Sequence, residues 1–402
     1  STSTGATPSL ASKKQASTST ETLDPAVDTW LEDHCPTFTR PALPMTGIVD
    51  TLARAAAAAT GESVTEIRDV SLENWLIVDG PTELRTEVEP VDNEPEWRQI
   101  ALWAQLEDGE KRIARGQIKC GSDWAANAEP VAPIEDARQL DDPYEDGAVF
   151  HGPAFQLLVD GQISDQTGAA SGTLDAAAGG VPIGQLHPAL LDAALHIIPH
   201  DNLSRWSDAI EADTVAYPHS VEHLTLHGPT PTDGHIRTEV RLEPIEEGRE
   251  RFPTFRMQFF DGDRLWCDMR LVEMLYPKGR IARGEPAARR AFLRDREFVA
   301  GLGLSRFEDD KTRLTLPELR KNDWFEGTIA AVYDVSGDLA EQTRQVVIKD
   351  HLAQRLEVHP SQIDVAADYQ SATCAQRPGE TFAVRVEQDG AMGFVVSDGS
   401  EA

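Results

Sequence analysis

Residues 84–91 read LRTEVEPV, and residues 236–245 read IRTEVRLEPI. A second matched pair follows them along the chain: WRQIALWAQLEDGEKRIARGQI at 97–118 and FRMQFFDGDRLWCDMRLV at 255–272. Chance can repeat one short strand pattern, but two matched segments in the same order at similar spacing favour an internal duplication. We therefore expect two similar halves.

Both members of the second pair contain an Asp-Gly dipeptide, Asp108-Gly109 and Asp261-Gly262. An Asp-Gly pair between apolar runs is a strong hairpin signal, because glycine accepts the positive φ that a tight turn requires. Each half is therefore predicted to contain long antiparallel strands.

A single helix is predicted upstream of the strands in each half. The first, MTGIVDTLARAAAAAT at 45–60, is rich in alanine and ends before Gly61. The second, PALLDAALHII at 188–198, begins at Pro188 and stops before Pro199. Proline suits the first position of a helix but not its interior, so both ends of the second helix are marked.

The composition of the chain argues against several classes of protein. The chain has 402 residues and a formal net charge of −31. This charge disfavours binding to nucleic acid or to anionic membranes. No apolar run approaches the ~20 residues that span a bilayer. The four cysteines are scattered without a CxxC pair, so neither a zinc site nor a disulfide framework is indicated, and we expect a cytoplasmic protein.

Changes in composition divide the chain into five regions. The first is rich in Ser and Thr without the pattern of a signal peptide, the third is rich in Ala, Pro and acidic residues, and Pro277-Lys278-Gly279 ends the repeat. We predict a disordered linker at 1–23, a first half at 24–120, a linker at 121–146, a second half at 147–280 and an appendage at 281–402.

Residues suited to acid–base chemistry lie in three segments. DHCPTFTRPALPMTG (33–47) places a histidine on a proline-rich turn. VFHGPAF (149–155) combines a glycine that permits close backbone approach with a proline that stiffens the entry to a predicted strand at 154–163. LHPALLDAALH (186–196) places Asp192 and His196 on one helix face. Its apolar neighbours predict a raised pKa for Asp192.

These three segments resemble the dehydratase domains of polyketide synthases and of polyunsaturated fatty acid synthases. DHCPTFTRPALPM looks closest to the iterative enediyne and polyunsaturated types. The resemblance covers roughly residues 24–277. It implies an α+β double hotdog, in which two sheets are each wrapped round a helix, and we expect a C-terminal α/β appendage after it.

The resemblance assigns roles residue by residue. It implies that His34 is the catalytic base, that Asp192 is the catalytic acid and that His196 orients the acid. Gly152 and Pro153 match a Gly-Pro strand motif near the site. Tyr217-Pro218 matches a Leu-Pro motif that lines the substrate tunnel.

One departure from the family pattern affects the loop after His34. The family has glycine four residues after the histidine, where this chain has Phe38, and Pro44 lies one residue beyond the expected proline. The resemblance implies that the amide at this glycine position binds the thioester carbonyl. The sequence therefore leaves open which amide does so here.

The implied reaction removes water from a 3-hydroxyacyl thioester to give the enoyl thioester. Histidine suits removal of the C2 proton because its pKa is near neutral, and the leaving hydroxyl needs an acid. No metal or redox cofactor is expected. The partners implied are an acyl carrier protein, whose phosphopantetheine carries the substrate, and neighbouring synthase domains; a homodimer is compatible with this organisation.

Three other functions are left open by the sequence. A product-template cyclase shares the fold and a His/Asp pair but closes rings by aldol chemistry. A hotdog thioesterase would hydrolyse the thioester. A non-catalytic module would only space neighbouring domains.

The remaining candidates have simpler interpretations. We expect Cys35 to be a small buried residue, and we expect solvated or structural roles for His151, His187, His219, His223 and His227. In the appendage, residues 346–365 faintly resemble a phosphopantetheinyl transferase, with Lys349-Asp350 replacing its Lys-Glu pair. Asp334 and Asp338 are weak candidates for magnesium ligands, so we expect packing or a remnant rather than transferase activity.

Overall fold

The computed structural model of the chain describes residues 16–278, except 37–40, 79, 107–108, 127, 145–148 and 201, together with short stretches between 298 and 397. The chain divides into two compact units, and the first ends at Pro277. All elements that hold the candidate site belong to this first unit. Among the described residues, no helix has the length and apolar character needed to cross a membrane.

The described residues of the first unit form one large sheet, two α-helices and short 3₁₀ turns. The helices are α1 (Met45–Thr60) and α2 (Pro188–Ala193), and the 3₁₀ turns are Thr29–Asp33, Pro153–Phe155, Ala194–Ile197 and Leu203–Arg205. The strands are β1 (Ser17–Leu23), β2 (Ser63–Leu72), β3 (Thr82–Val91), β4 (Glu94–Leu106), β5 (Gly109–Gly121), β6 (Arg138–Gln139), β7 (Leu158–Ser164), β8 (Ala169–Asp175), β9 (Thr214–Leu226), β10 (His235–Leu242), β11 (Thr254–Asp261) and β12 (Arg264–Pro277).

The strand order supports the predicted duplication. It runs β1-β3-β4-β5-β2 in the first half and β9-β12-β11-β10-β8-β7-β6 in the second. Counted outward from the β2–β9 pair, the order is β2-β5-β4-β3 in one direction and β9-β12-β11-β10 in the other. The four strands that follow each helix are therefore arranged in the same way. Antiparallel pairing of β2 with β9 joins the two halves, so the two expected sheets form one continuous sheet. The α+β class is confirmed.

The repeated letters occupy equivalent positions in the two halves. Thr86 on β3 and Thr238 on β10 are both buried, and each faces the next strand of a hairpin, β4 or β11. The glycines of the two Asp-Gly pairs, Gly109 and Gly262, lie at the β4–β5 and β11–β12 connections, and both have positive φ. Because side chains alternate across a strand, this shared register buries the same face of both repeats.

Helix α1 has the predicted bounds, 45–60. Its alanine run has the highest intrinsic helix propensity. Gly61 ends it in the left-handed region at φ 72°, and the Gly61 amide donates to the carbonyl of Ala57. Ile48, Leu52 and other apolar side chains on α1 are buried in the core that the sheet encloses.

Helix α2 is shorter than predicted. The α-helical part ends at Ala193, and a 3₁₀ turn continues over Ala194–Ile197. Proline disfavours helical backbone in the residue before it, and Ile198, which precedes Pro199, is extended at ψ 136°. At the other end the His187 ring accepts from the Leu190 amide as an N-cap.

The predicted linker at 1–23 is wrong over Ser17–Leu23, which forms β1 and pairs with β3. Residues 1–15 lie outside the described part of the chain. The Oγ of Ser19 lies 2.7 Å from Oγ1 of Thr86 on β3. A Ser/Thr-rich edge strand lacks the apolar alternation that marks strands in sequence, so its pairing partner decides its structure.

In the second unit, the described strands pair antiparallel. They are β13 (Phe298–Val299), β14 (Gly303–Leu304), β15 (Glu318–Lys321), β16 (Ile329–Tyr333), β17 (Ile363–Val365), β18 (Ser371–Cys374), β19 (Thr381–Gln388) and β20 (Met392–Ser397). Lys349 has helical backbone, whereas Asp334, Asp338 and Asp350 lie outside the described residues.

Asp50 connects α1 with the segment that leads into α2. Its Oδ1 accepts from the Leu186 amide at 2.7 Å, and its Oδ2 accepts from Arg54 at 3.2 Å. Burial raises the pKa of Asp50 to about 6, although both hydrogen bonds oppose the rise. The folded state therefore retains a proton at pH values where the unfolded chain has lost it.

Replacing Asp50 by Asn should change how stability depends on pH. Because the pKa of Asp50 is raised on folding, wild-type stability is fully present below about pH 4 and falls as pH rises through 6. Relative to D50N, the wild type should lose up to about 3 kcal/mol of unfolding free energy across this window. Urea denaturation at several pH values measures it, and a pH-independent difference would contradict the assignment.

We propose that the residues after 282 form a separable unit. A chain ending at residue 282 retains all twelve described strands of the first unit and should unfold cooperatively, with a Tm within about 4 °C of the intact chain. A chain ending at residue 262 lacks β12 and should not fold. Loss of cooperative unfolding in the longer of the two would show that the appendage supports the sheet.

Candidate active site

His34 lies on the loop before α1, and its ring is fixed by one carbonyl. Its Nδ1 lies 2.7 Å from the carbonyl oxygen of Ala42, and the Ala42 amide donates to the His34 carbonyl at 3.0 Å. Because a carbonyl only accepts, Nδ1 carries the proton in the neutral ring. Nε2 then has the lone pair that a base requires.

Asp192 lies on α2 and is buried. Its Oδ2 is 3.3 Å from Nε2 of His196, one turn further along. Nε2 of His151 is nearer to the same oxygen, at 3.0 Å. Two imidazoles therefore hold one carboxylate oxygen.

The structure adds His151 to the site, where the sequence predicted a solvated or structural histidine. The His151 ring is buried, with its centroid 4.0 Å from that of His196 and 5.3 Å from that of His34. Burial excludes the solvated role, and the spacing argument missed the contact because His151 reaches Asp192 from a different element. The adjoining Gly-Pro motif was the signal in the sequence that could have identified it.

Gly152 brings the loops of His34 and His151 together. Its amide donates to the Asp33 carbonyl at 2.7 Å, and the Ala154 amide donates to Asp33 Oδ2 at 2.8 Å. A Cβ on Gly152 would lie 1.8 Å from Asp33 Oδ1. Pro153 is exposed and begins the 3₁₀ turn, so the strand predicted to begin at 154 starts instead at Leu158.

The electrostatics of the cluster correct one prediction. Burial raises the pKa of Asp192, as expected, but the contacts with His151 and His196 outweigh it, so this pKa lies below its usual value. Burial lowers the pKa of His34, His151 and His196, although Asp192 opposes the shift in each. The free site therefore favours neutral imidazoles around a carboxylate.

The other predicted site residues lie around this cluster or on β9. Pro44 is buried at the N-cap of α1. Tyr217 on β9 meets Trp75 edge-on, with ring centroids 5.3 Å apart, and its neighbour Pro218 faces Glu273 in the ladder. Phe38, the departure from the family pattern, lies outside the described residues.

The other four histidines for which the sequence predicted solvated or structural roles lie at the N-cap of α2, on β9 or directly after β9. His187 caps α2, His219 packs near Phe252, His223 pairs with Glu66, and His227 contacts the carbonyl of Ala125. Cys35 is buried, as expected of a small core residue.

Three of the clustered side chains could also hold a metal ion. His34, His151 and Asp192 each offer one ligand atom, and these atoms lie within 4.8 Å of one another. Imidazole nitrogen and carboxylate oxygen suit borderline ions such as Zn²⁺. The arrangement therefore combines an acid–base pair with a donor set that could bind a metal.

Replacing Gly152 by Ala should destabilise the first unit by about 1–3 kcal/mol, because the new methyl group overlaps Asp33 and must displace it. Gly121→Ala is the matched control, since a Cβ at that position meets nothing within 4 Å. Urea unfolding measures both. Equal stability of the two variants would show that the close contact with Asp33 does not exclude a side chain at position 152.

Comparison with solved structures identifies the fold. The dehydratase domain of the polyketide PpsC from Mycobacterium tuberculosis superposes with a TM-score of 0.51 at 19% identity, over 65% of this chain and 94% of that one. The dehydratase domain from the CurF module of curacin polyketide synthase gives 0.51 at 17% identity, over 67% and 96%. These likenesses show the double hotdog fold.

A bifunctional dehydratase-cyclase domain in ambruticin biosynthesis is also similar, with a TM-score of 0.50 at 20% identity, over 68% of this chain and 95% of that one. The fold alone therefore does not fix the reaction. Among curated proteins, no relative matches this chain.

Family models match most of the first unit. Residues 5–105 match the polyketide synthase dehydratase domain, and residues 121–269 match the polyketide synthase dehydratase N-terminal domain. Together the two matches cover more than half of the 402 residues. The chain therefore belongs, over residues 5–269, to the polyketide synthase dehydratase family.

Proposed function

We propose that this dehydratase eliminates water from a 3-hydroxyacyl thioester held on the phosphopantetheine arm of an acyl carrier protein, with His34 as base and Asp192 as acid. One observation carries the assignment: both side chains are buried in one cluster, with a ligand atom of each within 4.8 Å of the other. That spacing lets one bound substrate contact both groups.

His34 removes the C2 proton of the substrate. Its Nδ1 proton is engaged by Ala42, so Nε2 accepts the proton. Burial lowers the pKa of His34 and keeps the ring neutral at neutral pH, which is the form a base needs. The same hydrogen bond holds the ring still during the transfer.

Asp192 protonates the C3 hydroxyl, because hydroxide is a poor leaving group. Since the free site favours the carboxylate, Asp192 takes up this proton when the substrate binds and displaces water from the site. The electron pair of the C2–H bond forms the C2–C3 double bond, the C3–O bond breaks, and water leaves with the proton from Asp192. His34 ends protonated and Asp192 ends ionised. Transfer of one proton between them through solvent restores the starting state.

A cavity of about 370 Å³ offers a place for the thioester arm. Its lining includes Trp30, Leu43 and Pro188. Leu43 follows Ala42, which holds the His34 ring, and Pro188 lies one helical turn before Asp192. The lining also includes Asp50 and Arg54 but none of the four clustered side chains, so we assign only the pantetheine arm, and not the reacting acyl group, to this cavity.

We further propose that the synthase is iterative, of the polyketide or polyunsaturated fatty acid type. This rests on the sequence DHCPTFTRPALPM at residues 33–45, which resembles the enediyne and polyunsaturated families. Other domains of the same synthase would then be its partners, together with the carrier protein.

Mass spectrometry of a 3-hydroxyacyl carrier protein incubated with the chain tests the function. Loss of about 18 mass units with the thioester intact is expected, since water is the only leaving species. Free acid would instead indicate a thioesterase. A new ring without mass change, formed from a poly-β-keto substrate, would indicate a cyclase, and no change with any substrate would indicate a structural module.

Replacing His34 by Ala or Asp192 by Asn should each lower kcat at least about 100-fold, the lower range for a lost acid or base. The double variant should be little worse than either single one, because the two residues act as a unit. His223→Ala is the control, because His223 is exposed and contacts Glu66 instead of the cluster. Circular dichroism checks the fold, and near wild-type turnover in both single variants would refute the assignment.

A further inference from the structure

Two histidines contact the same carboxylate oxygen of Asp192, Oδ2, and neither contacts Oδ1. Nε2 of His151 and Nε2 of His196 lie 3.0 Å and 3.3 Å from Oδ2. In the part of the chain that the structure describes, Oδ1 has no hydrogen-bond partner. The two oxygens therefore have different environments before any substrate binds.

This asymmetry decides where the acidic proton sits. An oxygen that accepts two N–H donors is poorly placed to carry a proton itself, because that proton would compete with both donors. The proton of the acid form therefore belongs on Oδ1. Oδ2 then acts as the acceptor in the acid form and carries the charge after the proton has left.

We propose that His151 is a positioning residue of the dehydration, which fixes the proton of Asp192 on Oδ1 and orients that oxygen toward the substrate hydroxyl. The proposal rests on the proposed function and deepens it. His151 acts through Asp192, so it is not itself a proton donor to the substrate.

His151 can fix Asp192 relative to the base, whereas His196 cannot. His196 and Asp192 lie on the same helical segment, so their contact moves with that segment. His151 instead belongs to the loop that Gly152 ties to Asp33, the residue immediately before His34. The contact of His151 with Asp192 therefore connects the acid to the backbone that carries the base.

The local packing holds the His151 ring in this place. The ring lies between those of His196 and His34, with centroids 4.0 Å and 5.3 Å away, and Phe155 lies 5.8 Å away. The His151 carbonyl accepts from the Gln156 side chain at 3.0 Å. Both the ring and its backbone are thereby restrained.

The same contact strengthens the acid. When Oδ1 gives its proton to the C3 hydroxyl, the C3–O bond breaks and the negative charge remains on the carboxylate. Oδ2 bears that charge beside two N–H donors, which stabilise the ionised product of the transfer. The hydrogen bond from His151 thus lowers the pKa of Asp192 against the effect of burial.

The test compares His151→Phe, which removes the donor, with His151→Gln, whose amide nitrogen can take the place of Nε2. His227→Phe is the matched control, because His227 is also buried but contacts Ala125 instead of the cluster. Steady-state kinetics with a 3-hydroxyacyl N-acetylcysteamine thioester give kcat, KM and their pH profiles. Carbon-13 NMR of labelled aspartate, with Asp192 assigned through D192N, gives the pKa of Asp192 without substrate.

In H151F, kcat should fall about 10- to 100-fold with KM near wild type, as expected for a lost hydrogen bond to a charged group. The Asp192 pKa should rise, so the alkaline limb of kcat should move to higher pH. H151Q should stay within a few-fold of wild type, and H227F should be unchanged.

Two results would overturn the proposal: unchanged kcat and Asp192 pKa in H151F, or H151Q folded by circular dichroism yet as impaired as H151F. A wild-type chain that eliminates no water would refute the proposed function instead. The NMR titration would still show in that case whether His151 lowers the pKa of Asp192, because it needs no turnover.

Discussion

A buried carboxylate requires hydrogen-bond donors from the protein, because it has lost those of water. The arrangement of the candidate site follows from this requirement at Asp192. An unpaired buried charge costs several kcal/mol, so the fold has to bring donors to it. His196 comes from the same helical segment, and His151 comes from a loop far away in sequence. His34 completes the cluster from the other half of the duplication.

The duplication explains how one site acquires two different groups. Each half supplies a helix and four strands in the same order, and β2 and β9 join the halves. The helices have diverged: α1 is a regular helix that a glycine ends, whereas α2 gives way to a 3₁₀ turn before Pro199. The half with the regular helix carries the base, and the half with the interrupted helix carries the acid.

Features encoded by local chemistry were predictable from the sequence. The bounds of α1 followed from its alanine run and Gly61, and the hairpins followed from their Asp-Gly pairs. Features that depend on contacts between distant segments were not predictable. Strand β1 is defined by pairing with β3, and His151 reaches Asp192 across the fold. The direction of the Asp192 pKa was wrong for the same reason, since its apolar sequence neighbours gave no sign of two nearby imidazoles.

Nitrogen-15 NMR of histidine-labelled protein at neutral pH tests the central claim most directly, which is that the cluster holds His34 as a neutral base with its lone pair on Nε2. With the resonances assigned through His34→Ala, the ring of His34 should be neutral and protonated on Nδ1, because that nitrogen donates to Ala42 and burial lowers its pKa. A charged imidazolium, or a neutral ring protonated on Nε2, would contradict the account, because neither could accept the C2 proton.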